Sequence, residues 1–85
     1  MRDLWIDNGQ GILSIDTDTL YIRLISKAKK NYRTIHSNWK LIFYHKCRYG
    51  YACHWYYEFG GTIDEALDRA ETVIREAFEG IKEIL

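Results

Sequence analysis

The chain has no proline in 85 residues, where average usage would supply about four. That absence excludes proline-rich linkers, polyproline II ligand segments and cis-proline turns. Long apolar runs are missing too: nothing approaches the ~20 residues that span a bilayer, and Met1-Arg2-Asp3-Leu4 does not open a signal peptide. A cytoplasmic protein with no membrane segment is the expectation. The two cysteines are too few for the disulfide scaffold on which small secreted domains depend. The most telling absence is local, for residues 19–57 contain no Asp or Glu.

The composition is 47% hydrophobic and 15% aromatic, enough apolar surface to offset chain entropy in one core and too little chain for two. Residues 1–85 therefore read as a single domain. Its formal net charge is zero, but the charge is segregated. Residues 1–18 carry a net of −3, residues 19–57 a net of +8 and residues 58–85 a net of −5. The basic stretch also holds ten of the thirteen aromatic residues and all three histidines. Cations attract phosphates and aromatic faces stack on bases, so this coincidence is the footprint of a nucleic-acid surface.

At the C-terminal end, Ile63, Ala66, Leu67, Ala70, Ile74, Ala77, Phe78, Ile81 and Leu85 recur at three- and four-residue steps, which predicts an amphipathic helix over 62–84. Thr62-x-x-Glu65 forms a capping box at its start. Glu65 with Arg69 and Glu71 with Arg75 have the spacing of stabilising ion pairs. The helix is acidic, and its outer face is solvated.

Two segments with a period of two, Trp39 to Cys47 and Tyr51 to Phe59, predict a β-hairpin turning at Arg48-Tyr49-Gly50. Pairing Cys47 with Cys53, His45 with Trp55, Phe43 with Tyr57 and Leu41 with Phe59 gathers both apolar sets on one face under the helix. The opposite face then displays Lys40, Tyr44, Lys46, Arg48, His54 and Tyr56. Upstream, Asn8-Gly9 is the favoured type I′ dipeptide and predicts a short hairpin between Leu4–Ile6 and Ile12–Ile15. Residues 19–30 admit a strand with Leu20, Ile22 and Leu24 inward, or a helix capped by Asp18 and running to Lys30; Thr19, Tyr21, Ile22 and Ile25 favour the strand. Lys27 to Asn31 is then a basic turn, and Tyr32 to Ile35 a further strand.

His45-x-Cys47 and Cys53-His54 carry zinc-ligand chemistry, but alternation sends Cys53 and His54 to opposite faces, so no metal is expected and the thiols read as free and buried. No acid lies nearby to orient an imidazole, and Gly9-x-Gly11 lacks the lysine and helix of a phosphate loop. Neither an enzyme nor a cofactor is expected. From Tyr32 onward the order of strand, hairpin and helix, with Phe59 before Thr62-x-x-Glu65-Ala66, resembles the sheet-plus-helix modules of AP2-type transcription factors and of the arm-binding domains of tyrosine recombinases. The resemblance covers about half the chain and implies a sheet lying in the DNA major groove. Phe59 to Glu65 is one residue longer than in AP2 domains, and Ile63-Asp64 replaces the lysine pair that double-stranded-RNA-binding domains place at this helix start.

The expected fold is α+β: a small antiparallel sheet of four to five short strands with one long C-terminal helix on one face, its basic aromatic part spanning 19–59. The expected function is non-catalytic binding of DNA or RNA through Lys27, Lys29, Lys30, Arg33, Lys40, Tyr44, Lys46, Arg48, His54 and Tyr56. The alternative is a small phage or mobile-element protein that binds a protein partner, as an inhibitor or adaptor of a nucleic-acid enzyme or host defence complex. An uncovered aromatic face also suits a homo-oligomer.

Overall fold

Strand-forming residues dominate from Ile12 to Gly61, and a computed structural model, which describes residues 2–77, folds them into one antiparallel meander. A 3₁₀ turn at Arg2–Leu4 leads into β1 (Ile6–Asp7), β2 (Ile12–Asp16), β3 (Leu20–Ser26), β4 (Ser37–Cys47), β5 (Gly50–Gly61) and then α1 (Ile63–Ala77). Strand order in the sheet is the order in sequence. The expected α+β architecture is present, with α1 packed on one face of the sheet against β4 and β5.

Alternation explains that face. Leu13 and Ile15 of β2, Leu20, Ile22 and Leu24 of β3, and Trp39, Leu41 and Phe43 of β4 are buried, and Ala66, Leu67, Ala70 and Ile74 of α1 close over the cluster together with Phe59. Two alanines four residues apart let the helix backbone come close to the sheet. The indole of Trp39 donates to the Gly61 carbonyl at 3.0 Å, which satisfies its only polar atom inside the core. Thr62 and Glu65 form the expected capping box: the Glu65 amide donates to the Thr62 hydroxyl at 3.3 Å, and the Thr62 amide to the Glu65 carboxylate at 3.0 Å. The apolar stripe is correct as far as Ile74, whereas Ala77 is exposed. The predicted continuation to residue 84, with Phe78, Ile81 and Leu85, lies outside the described residues.

Several local expectations are corrected. Residues 20–26 are strand, so the helical alternative falls. Tyr32 to Ile35 is a turn, because Asn31 takes a left-handed conformation (φ 59°) and its carbonyl accepts from the amides of Thr34 and Ile35 at 3.0 and 3.2 Å. Tyr32 thereby drops into the core, edge-on to Trp39 at 6.3 Å between ring centroids. The first hairpin forms, with Ile6 opposite Ser14, but by a wider loop than a type I′ turn. Asn8 keeps a negative φ and its side-chain oxygen accepts from the amides of Gln10 and Ile12, so Gly9 (φ 79°) and Gly11 (φ 87°) supply the left-handed turns instead.

The β4–β5 register is two residues away from the expected one: Trp39 pairs with Phe59, Leu41 with Tyr57 and Phe43 with Trp55. A shift of two preserves the faces there. Beyond Phe43 the ladder skips His54, so Tyr44 pairs with Cys53, Lys46 with Tyr51 and Cys47 with Gly50. This β-bulge reverses the alternation of β5 between its two halves, and it moves Tyr51 away from the helix side of the sheet. Cys47, expected to be buried, is a free and exposed thiol near the hairpin tip, four residues beyond Phe43, the last buried residue of β4. The ion pairs expected of Glu65 and Glu71 along the helix give way to other partners: Glu65 serves the cap, and Glu71 accepts from Arg2 and from the Trp5 indole.

Candidate nucleic-acid interface

A sheet covered on one side leaves its other face to solvent. Here that face is built from Ile12, Ser14 and Asp16 of β2, Tyr21, Arg23 and Ile25 of β3, Lys40, Ile42, Tyr44 and Lys46 of β4, and Tyr51, Tyr56 and Glu58 of β5. Cross-strand pairing sets the neighbours. Tyr21 lies opposite Tyr44, and with Tyr51 they form a cluster with ring centroids 5.5 to 6.3 Å apart. Tyr51 and Tyr56 are 59% and 55% exposed, so their rings remain available for contact. The Lys40 ammonium sits 4.3 Å from the centroid of the Tyr56 ring, a cation–π contact that holds both side chains against the face.

The expected site residues are spread over several parts of the fold. Lys40, Tyr44, Lys46 and Tyr56 share the open face as expected. Lys27, Lys29 and Lys30 are exposed in the β3–β4 loop at one end of it. That loop is fastened at its base: the Lys27 amide donates to the Asn38 carbonyl at 2.8 Å, and the Ser26 and Ser37 hydroxyls are 2.9 Å apart, with the Ala28 amide donating to both. Lys27, Lys29 and Lys40 line a groove of about 730 Å³ with Ile25, Asn38 and Gly60. Arg48 lies at the opposite end, in the β4–β5 turn, 5.7 Å from the Tyr49 ring. The side chain of His54 lies outside the described residues; its backbone is the extra residue of the bulge.

Two expected cations are already neutralised within the fold. Arg33 meets the Asp7 carboxylate at 2.9 Å, at the β1 edge. Lys46 pairs with Asp16 and also donates to the Thr17 carbonyl, and the hydrogen bond to Asp16 outweighs burial to hold its pKa above the ordinary lysine value. The acidic N-terminal stretch therefore folds against part of the basic one. Arg23, Lys27, Lys29, Lys30, Lys40 and Arg48 have no ion-pair partner among the described residues.

Three aromatic or basic members of the face were not among the expected contact residues: Tyr21, Arg23 and Tyr51. Tyr21 and Arg23 follow from the strand reading of β3, since inward Leu20, Ile22 and Leu24 require both to point outward. Tyr51 carries no such signal, because only the bulge at His54 turns it to this side. Arg23 stands mid-sheet, opposite Ser14 and Ile42, and its Nε is buried with no hydrogen-bond partner among the described residues. Among the described residues no group of three or more His, Cys, Asp or Glu side chains is arranged to hold a metal ion. Compared with known protein families, curated proteins and solved structures, the chain shows no significant match to any of them.

Proposed function

We propose that the protein is a non-catalytic nucleic-acid-binding module that uses the open face of its sheet. One observation carries this reading. Arg23 and Lys40 stand on the same surface as Tyr21, Tyr44, Tyr51 and Tyr56, and neither has a carboxylate partner among the described residues. Such a face can hold phosphates by charge and bases by stacking at once. Exposed cations in the loop at one end and at Arg48 at the other extend the positive field beyond the sheet.

A protein-partner reading in which the acidic α1 imitates a phosphate backbone has less support. Arg2 lies among Asp64, Asp68 and Glu71, which interrupts the negative surface that such a mimic requires.

The test is fluorescence anisotropy with labelled DNA and RNA pools at about 100 mM salt, comparing the native chain with Arg23→Ala combined with Lys40→Ala. The expected result is saturable binding that the double variant weakens by tenfold or more. No binding to any pool rejects the proposal and leaves a protein partner as the remaining reading.

A further inference from the structure

We infer that the nucleic acid taken by this face is single-stranded, its bases lying on Tyr51 and Tyr56 and its phosphates at Arg23, Lys40 and the lysines of the β3–β4 loop. The inference rests on the proposed nucleic-acid function and narrows its ligand.

Width is the first argument. Neighbouring strands lie ~4.8 Å apart, so the four strands that carry the open face measure about 14 Å across. The major groove of B-DNA is ~12 Å wide and admits a helix or a two-stranded ribbon. The residues of the open face come from four strands, β2 to β5, so the sheet meets a duplex only at its backbone ridges. The narrower element, α1, is the wrong charge for a groove, with Asp64 and Asp68 87% and 74% exposed.

The tyrosines supply the second. A ring more than half exposed on a flat face gains most from a base that presents its own open face. Bases inside a duplex are already stacked on both sides, so Tyr51 and Tyr56 stack only on a strand whose bases are free.

The third argument is where positive charge is left unanswered. Arg23 holds a charged guanidinium mid-sheet with a buried, unpartnered Nε, a cost that an anion at its outer nitrogens offsets. From there Lys40, Lys27 and Lys29 continue to the groove at the loop end, where Glu58 is the one carboxylate among the described lining residues. Six residue steps separate Tyr21 from Lys27, roughly 20 Å of strand. That path suits the shorter single-strand sites, which hold about four nucleotides.

The experiment compares a labelled single strand of roughly 12 nucleotides with the same sequence as a blunt duplex, at about 100 mM salt. Single-strand affinity is expected to exceed duplex affinity by at least about tenfold. Tyr51→Ala and Tyr56→Ala should each weaken the single strand by roughly fivefold or more while leaving its salt dependence intact. Both side chains are exposed, and circular dichroism is the check that each variant folds. Equal or tighter duplex binding, with both tyrosine variants neutral, overturns the single-strand inference and leaves the nucleic-acid function standing. Absence of binding to either form overturns both.

Discussion

The hydroxyl of Tyr32 donates to Oδ1 of Asp7 at 2.5 Å across 25 residues of sequence, tying the β1 edge of the sheet to the β3–β4 loop. Arg33 meets the other carboxylate oxygen at 2.9 Å. One acid from the N-terminal stretch thus holds two consecutive residues of the basic stretch and fixes how Tyr32 enters the core.

Acid sensitivity follows from that contact. Burial pushes the Asp7 carboxyl up, but the hydrogen bonds from Tyr32, Gly9 and Arg33 together outweigh it and hold the folded pKa below the ordinary 3.8. A depressed folded pKa contributes stability that is complete above the unfolded value and is lost as pH falls through the folded one. Asp7→Asn should cost about 1 kcal/mol at neutral pH, and its stability should fall less than that of the native chain below about pH 4. Urea midpoints between neutral pH and about pH 3 check this; parallel acid loss in both proteins would show that Asp7 carries no such linkage.

The two faces of β4 should respond differently to truncation. Phe43 is fully buried under α1, and Phe43→Ala is expected to cost about 3 to 5 kcal/mol. Lys40 lies three residues earlier on the same strand and so on the open face, and Lys40→Ala should cost no more than about 1 kcal/mol, the worth of an exposed cation–π contact. Similar losses for the two in chemical denaturation would contradict the observed alternation.

Glu71 is a helix carboxylate buried to 7% exposure, and it accepts from Arg2 and from the Trp5 indole. Arg2→Ala leaves that charge with the indole alone and should cost roughly 1 to 3 kcal/mol. Trimming the exposed Asp64 instead should be nearly neutral. Thermal melts of the two variants distinguish a structural clamp from a surface ion pair.

Salt dependence separates free cations from engaged ones. Each phosphate neutralised on a single strand contributes about 0.7 to the slope of log affinity against log salt. Four to six contacts among Arg23, Lys27, Lys29, Lys30, Lys40 and Arg48 predict a slope near −3 to −4. Lys27→Ala with Lys29→Ala should flatten it by about 1.4, whereas Lys46→Ala and Arg33→Ala should change it much less, because Asp16 and Asp7 already hold those charges. A larger change from Lys46 than from the loop lysines would refute the division.

Periodicity and capping were legible in the amino-acid order because they are local. Two-residue alternation assigned Trp39, Leu41 and Phe43 to the core, three- and four-residue spacing assigned Ala66, Leu67, Ala70 and Ile74 to the helix stripe, and Thr62 with Glu65 marked where that helix begins. The α+β class and the gathering of Lys40, Tyr44 and Tyr56 on the face away from α1 follow from these patterns alone.

Tertiary structure decided what depends on distant pairing. The bulge at His54 is a backbone event with no side-chain period, yet it sets which side of the sheet Tyr51 occupies. Asn31 in a left-handed conformation turned an expected strand into the corner that buries Tyr32. Segregated charge in sequence promised an unbroken basic surface; in the fold, Asp7 and Asp16 reach Arg33 and Lys46 across 26 and 30 positions. Net charge of a segment is set by its residues, but which charges remain free is set by the neighbours that only folding supplies.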